Sequence, residues 1–150
     1  MEYFSGPRYG ASIMRYYNHD RVEISELVGK TMASVKHKND MRDDKLTFTT
    51  VEGEGYVFVH DQDCCESVRV EDITGDLEDL VGSPLLQADE ETSRDVDHPT
   101  GSGESWTWTF YKFATKKGYV PIRWLGESNG YYSESVDLYR LKKEDDNEDS

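Results

Sequence analysis

Two strand-length runs decide the fold: Trp106-Thr107-Trp108-Thr109-Phe110-Tyr111-Lys112-Phe113-Ala114-Thr115 and Tyr119-Val120-Pro121-Ile122-Arg123-Trp124-Leu125-Gly126, joined by Lys116-Lys117-Gly118. Both are rich in aromatic and β-branched residues, and a short turn ending in glycine separates them. That is the pattern of a β-hairpin. A three-residue loop with Gly118 in the left-handed position pairs Thr115 with Tyr119. Ala114 then faces Val120, Lys112 faces Ile122 and Phe110 faces Trp124. One side of the hairpin carries Trp106, Trp108, Phe110, Ala114, Val120, Ile122 and Trp124, and is expected to be the core. The other carries Thr107, Thr109, Tyr111, Phe113, Pro121, Arg123 and Leu125.

The turn at Ser128-Asn129-Gly130 sets the next register. Side chains alternate, so a one-residue slip would move every one of them to the other face. A three-residue loop places Val136 opposite Ile122 and Leu138 opposite Val120, with Glu134 opposite Trp124. Lys112 then lies diagonally from Glu134, within reach of a long side chain.

Upstream of this hairpin, Thr31–Lys38, Leu46–Thr50 and Tyr56–His60 alternate apolar and polar residues. The turns Asn39–Asp44 and Glu52-Gly53-Glu54-Gly55 separate them, so the three read as an antiparallel meander. Ile24, Leu27 and Val28 have helical spacing and end near Gly29. Val68, Val70 and Asp72 predict a short strand. Thr74 is positioned to cap a short helix with Leu77, Leu80 and Val81 on one face, stopped by Gly82 and Pro84. Leu85–Glu91 predicts a further strand, and Arg94–Ser105 a long polar loop. The expected class is α+β: an antiparallel β-sandwich or half-barrel with one or two short helices. Residues 1–20 form an N-terminal extension packed on the domain, 21–143 a single β-rich domain, and 144–150 a disordered acidic tail.

The chain has 150 residues, with 35% hydrophobic, 32% charged and 12% aromatic residues. Ten Tyr and three Trp argue against wholesale disorder. The formal net charge of −14 disfavours long nucleic acids and anionic membranes. No apolar run is long enough for a membrane helix, and no signal peptide is expected. The charge is segregated. Asp61–Asp97 holds thirteen acidic residues against two basic ones, and Glu144–Ser150 is acidic throughout its charged positions. Between them lies a mildly basic, aromatic stretch. An acidic middle is usually a solvated face; the alternative is a surface that docks on a basic protein. Asp76, Glu78, Asp79, Asp89, Glu90 and Glu91 are its candidate contacts.

His60-Asp61-Gln62-Asp63-Cys64-Cys65-Glu66-Ser67-Val68 is one of several stretches through which Leu27–Leu138 resembles a known family. The others are Leu27-Val28-Gly29-Lys30-Thr31, Glu71-Asp72-Ile73-Thr74-Gly75-Asp76-Leu77 and Gly82-Ser83-Pro84. The longest runs from Trp108-Thr109-Phe110-Tyr111-Lys112-Phe113-Ala114-Thr115 through Gly126-Glu127-Ser128-Asn129-Gly130-Tyr131-Tyr132-Ser133. The family comprises small proteins found mainly in tailed bacteriophages, classed as a domain of unknown function. The resemblance carries no biochemical role. It implies action in the cytoplasm of an infected bacterium and raises the expectation of a protein that blocks or sequesters a host factor, including one that serves defence.

Three constellations carry candidate chemistry. His60, Asp61, Asp63, Cys64, Cys65 and Glu66 are metal-capable, but adjacent cysteines rarely both ligate one ion, and no second Cys pair completes a zinc site. A thiolate nucleophile would need a histidine beside it. The favoured reading is a strand end whose small Cys side chains pack inward while the acids order the turn, with no metal and no cofactor. Lys112 and Glu134 suggest a polar pair lining a pocket. The loop 126–133, with Glu127, Tyr131 and Tyr132, has the composition of a recognition tip. Together, Trp108, Lys112, Arg123, Trp124, Glu127, Tyr131, Tyr132 and Glu134 are the candidate ligand-binding residues. No phosphate loop, HExxH motif or nucleophile elbow occurs. The leading expectation is an acidic binding protein with a basic host protein as partner. The alternative is a sponge for a small anionic ligand or nucleotide. Turnover is not expected, no catalytic residue is assigned, and homo-oligomerisation stays open.

Overall fold

In a computed structural model of the chain, nine strands among the described residues arrange themselves in two antiparallel sheets. The structure describes residues 19–40, 43–94, 96–99 and 104–142. The expected N-terminal extension (but for its last two residues), the acidic tail and part of the 94–105 loop therefore lie outside the described residues. The strands are β1 (Asp20–Arg21), β2 (Met32–Asp40), β3 (Asp43–Thr50), β4 (Gly55–Val59), β5 (Ser67–Ile73), β6 (Gln87–Ser93), β7 (Ser105–Thr115), β8 (Gly118–Ser128) and β9 (Asp137–Arg140). The first sheet runs β1-β9-β4-β3-β2 and the second β5-β8-β7-β6.

The meander β2-β3-β4 forms as its alternation predicts, with Val35 opposite Phe48 and Phe48 opposite Tyr56. The helical content is smaller than expected. Among the described residues it consists of two single-turn 3-10 segments, Ile24–Leu27 and Leu77–Leu80. The second is capped by Asp76, whose side chain accepts from the Glu78 amide at 3.0 Å, and not by Thr74.

The β7–β8 hairpin exists, but in a different register. Thr115 pairs with Gly118, so Lys116 and Lys117 alone make the connection. Trp124 now faces Thr109, Ile122 faces Tyr111 and Val120 faces Phe113. The slip turns β7 over. Tyr111 and Phe113 point into the core, while Trp106, Trp108, Phe110, Lys112 and Ala114 take the outer face with Pro121, Arg123 and Leu125. Both faces of β7 are aromatic, so hydrophobic alternation alone does not choose between them.

The second correction concerns the end of the chain. β9 does not return along β8; it crosses to the first sheet and lies between β1 and β4, with Leu138 opposite Phe58. β5 takes the place beside β8 instead. Val136 and Leu138 remain buried, but across from partners other than Ile122 and Val120. Gly130 does hold the left-handed conformation, at φ +99°, where a Cβ is disfavoured.

The core lies between the sheets. Phe48 meets Phe113 at 5.0 Å between ring centroids, and Phe58 meets Tyr111 at 4.7 Å. These separations suit tilted aromatic pairs. Leu27, Met32, Leu80 and Leu85 complete this core. A second, smaller cluster of Val57, Val59 and Tyr139 sits on the other side of β4, so β4 is buried throughout. Asp44 joins the layers. Its carboxylate accepts from His37 Nε2 at 2.8 Å, Asn39 Nδ2 at 2.7 Å and the Val70 amide at 2.8 Å. Three donors compensate the desolvation of this buried charge.

Candidate functional site

The outer face of the second sheet collects half of the ligand-binding candidates singled out from the sequence: Trp108, Lys112, Arg123 and Glu127. Pairing fixes its rows: Trp106 beside Glu127 and Ser67, then Trp108 beside Leu125 and Arg69, then Phe110 beside Arg123 and Asp72. The chain after β6 folds over the first two rows. The Val96 carbonyl accepts from the indole N–H of Trp106 at 3.0 Å and of Trp108 at 3.2 Å. Trp108 is thereby buried although it lies outside the main core. This backbone cover is why so aromatic an outer face is tolerated.

Glu127 is clamped from two sides. Arg69 Nη1 donates to it at 2.7 Å, and its other oxygen meets His98 Nε2. His98 stands edge-on to Trp106. Burial acts to raise the Glu127 pKa, but the contacts with His98 and Arg69 outweigh it and hold the carboxyl below its ordinary value. Beyond it, Cys65, Ser67, Ser128, Asn129 and Tyr132 line a cleft of about 300 Å³ with Glu127. Tyr131 projects into solvent at the tip.

Lys112 and Glu134 do not meet. Lys112 reaches Glu91 across the neighbouring strand, Nζ to Oε1 3.3 Å. Glu134 is buried and accepts from Thr107 Oγ1 at 2.7 Å and Ser128 Oγ at 2.5 Å. Burial pushes its pKa up, and these hydroxyl donors more than reverse the effect. Glu134 thus ties the tip loop to β7 and β8. The β7 slip separates the pair by sending Lys112 to the outer face. Trp124 is also removed from the proposed ligand set: it faces the core and is fully buried.

A shallow groove of about 280 Å³ remains on the outer face, lined by Phe110, Pro121, Lys112, Arg123, Asp72 and Thr74 among others. The Arg123 guanidinium lies 5.2 Å from the Trp108 ring, within cation–π range, and 3.9 Å from Asp72. The contribution of Asp72 and Thr74 was hidden in the sequence, because it depends on β5 pairing with β8.

The His60–Glu66 turn is a structural unit. His60 Nδ1 lies 2.7 Å from the Ser135 carbonyl, and its Nε2 lies 2.7 Å from Glu66 Oε2. The amides of Asp63 and Cys64 also donate to Glu66, at 2.8 and 3.0 Å. Burial raises the Glu66 pKa and these bonds lower it further than burial lifts it. The acids order the turn, as the sequence suggests. The cysteines differ from expectation: Cys64 and Cys65 are joined in a disulfide between neighbours, and Cys65 is exposed. No group of three or more His, Cys, Asp or Glu side chains is placed to hold a metal among the described residues.

The acidic candidates divide by their contacts. Asp76 is used as a cap, and Asp79 is half-buried against Gly118 while its carbonyl accepts from Thr115 Oγ1. Glu78, Asp89, Glu90 and Glu91 are exposed, the last three in sequence along the edge strand β6. Among the described residues no helix is long and apolar enough to cross a membrane.

A family model for a domain of unknown function, DUF7448, matches residues 25–138. The chain belongs to this family. Its span covers β2 to β8 and all of the outer-face rows described above, and leaves β1 and the end of β9 outside. No curated protein and no solved structure matches the chain.

Proposed function

We propose that this chain is a phage-encoded acidic binding protein that acts in the cytoplasm of an infected bacterium by covering a basic surface of a host factor. The observation that carries this reading is the run Asp89-Glu90-Glu91, exposed on an edge strand, whose three carboxylates make one ion pair, to Lys112, with the described residues. Glu78 adds to it from the same end of the second sheet. There Thr115 contacts Asp79 and Ala114 faces Gln87. Uncompensated charge of one sign raises the association rate with a basic partner and selects against acidic ones. The test is capture of a partner from bacterial lysate, followed by association rates against ionic strength. The wild-type rate is expected to fall as salt rises. The variant Asp89→Asn/Glu90→Gln/Glu91→Gln is expected to bind more slowly and to lose that dependence. Equal rates for the two proteins would refute the reading.

The groove between Lys112 and Arg123 favours a second reading, a site for a small anionic ligand with a flat ring. Phe110 and Pro121 offer apolar contact and the two cations flank it. Titration with adenosine monophosphate, followed by tryptophan fluorescence, tests it, because Trp108 touches Arg123. A saturable change lost in Arg123→Ala supports this reading; no change in the wild type removes it.

A further inference from the structure

Three end strands long enough to pair further have an outer backbone edge that pairs with no strand among the described residues: β2 in the first sheet, and β5 and β6 in the second. On β5 the Val70 amide is already taken by Asp44, which leaves β2 and β6. Such edges hold rows of unpaired N–H and C=O groups that can accept another strand. The two differ in charge. On β2, Lys36 and Lys38 are exposed and share the outer face, since they pair with Thr47 and Lys45 while Val35 faces the core residue Phe48. Neither lysine makes an ion pair with a described residue. Lys38 moreover stands directly opposite Lys45, and like charges in that position repel. On β6, Asp89 and Glu91 share the outer face, opposite Lys112 and Phe110.

We propose that the acidic edge β6 of one copy adds the basic edge β2 of a second copy as an antiparallel strand. The spacing fits without adjustment. Placing Lys36 opposite Glu91 brings His37 opposite Glu90 and Lys38 opposite Asp89 in the same register, with Ser34 opposite Ser93. Outer faces remain outer faces, so the Lys36 and Lys38 side chains stand beside the carboxylates, and Lys38, which keeps Lys45 on its β3 side, gains a carboxylate on the other. The bulge of β2 lies between Met32 and Ser34, before the paired stretch.

The two edges lie on opposite flanks. Glu90 borders the same small cavity as Arg21, Glu23 and Asp137, on the β1–β9 side. Asp44, at the start of β3, instead bonds β5 at the other side. The contact is therefore head-to-tail, and its products are chains or a ring instead of a closed two-fold dimer. The net charge of −14 opposes close approach of copies, so assembly is expected at high protein concentration and at physiological ionic strength, where long-range repulsion is screened. This inference does not rest on the proposed host-factor reading, although a basic partner on β6 would compete with it.

The test uses the purified full chain, with sedimentation velocity from low micromolar to millimolar concentration. Wild type is expected to grow in mass with concentration. Lys36→Glu/Lys38→Glu and Asp89→Lys/Glu91→Lys should each stay monomeric, because each then presents two edges of one sign. Circular dichroism checks that both variants remain folded. Mixing the two variants should restore assembly, since each supplies the edge the other lacks. Amide exchange at Gln87–Ser93 should slow in the mixture and in concentrated wild type. A wild type that is monomeric throughout, assembly indifferent to the reversals, or a mixture that stays monomeric would overturn the proposal.

Discussion

Gly126 and Glu134 are in backbone contact: a Cβ on Gly126 would stand 2.4 Å from the Glu134 carbonyl oxygen and 2.8 Å from its Cβ. No flexible side chain can yield there. The tip loop therefore docks on β8 only because position 126 has no side chain. Gly126→Ala is expected to destabilise the domain by about 1–3 kcal/mol, the usual cost of overpacking. Urea denaturation checks this. Unchanged stability would mean that the loop does not hold Glu134 where it is described.

Asp44 should be among the most sensitive polar residues. Asp44→Ala deprives His37, Asn39 and the Val70 amide of their shared acceptor. Hydrogen bonds to a buried charge contribute about 1.5–3 kcal/mol. A loss of that order in the same assay is expected, with amide exchange at Val70 rising more than at Phe48.

The paired cysteines should contribute little to stability. A disulfide acts largely by restricting the unfolded chain, and a ring closed within one dipeptide restricts it least. Cys64→Ser/Cys65→Ser is expected to cost about 1 kcal/mol at most on that model. It should leave binding unchanged, because the amides that hold Glu66 remain. Wild type treated with a reductant should match the variant.

Stability should fall in acid. Glu66, Glu127 and Glu134 all have folded pKa values below the ordinary 4.5. Each contributes stability above that value and loses it as the pH drops through its folded pKa. Glu90 works the other way, because desolvation at the mouth of the two layers raises its pKa. The hydrogen bonds that Glu66, Glu127 and Glu134 lose on protonation make a loss of stability the expected outcome as the pH falls below about 4.5. Unfolding midpoints between neutral pH and acid measure it, and Glu127→Gln should show a shallower decline than wild type.

What the sequence revealed depended on how local the determinant is. The β2-β3-β4 meander was legible because alternation and turns agree over neighbouring residues. Gly130 was legible because Asn-Gly turns demand a left-handed residue. The β7–β8 register was not. Lys116-Lys117-Gly118 fits a two- or a three-residue connection, and Trp108 and Phe113 compete for the core from opposite faces. In the structure the outer indoles are satisfied by the Val96 carbonyl, which comes from another segment. The site suffered more. The Lys112–Glu134 pair vanished with the register, while His98 joined Glu127 from a loop with no periodicity. Asp44 looked like a turn residue, and only the approach of β5 makes it a joint between sheets.

The place of β9 has a consequence for synthesis of the chain. β4 is Gly55-Tyr56-Val57-Phe58-Val59, buried at every position, and it needs β9 on one side and β3 on the other. On the ribosome β3 emerges before it, but β9 follows only after β5 to β8. Until then this apolar strand must wait with one open edge, the kind of segment that recruits other chains. A nascent chain stopped before Asp137 is thus expected to aggregate even though the β2-β3-β4 meander and the β7–β8 hairpin are complete.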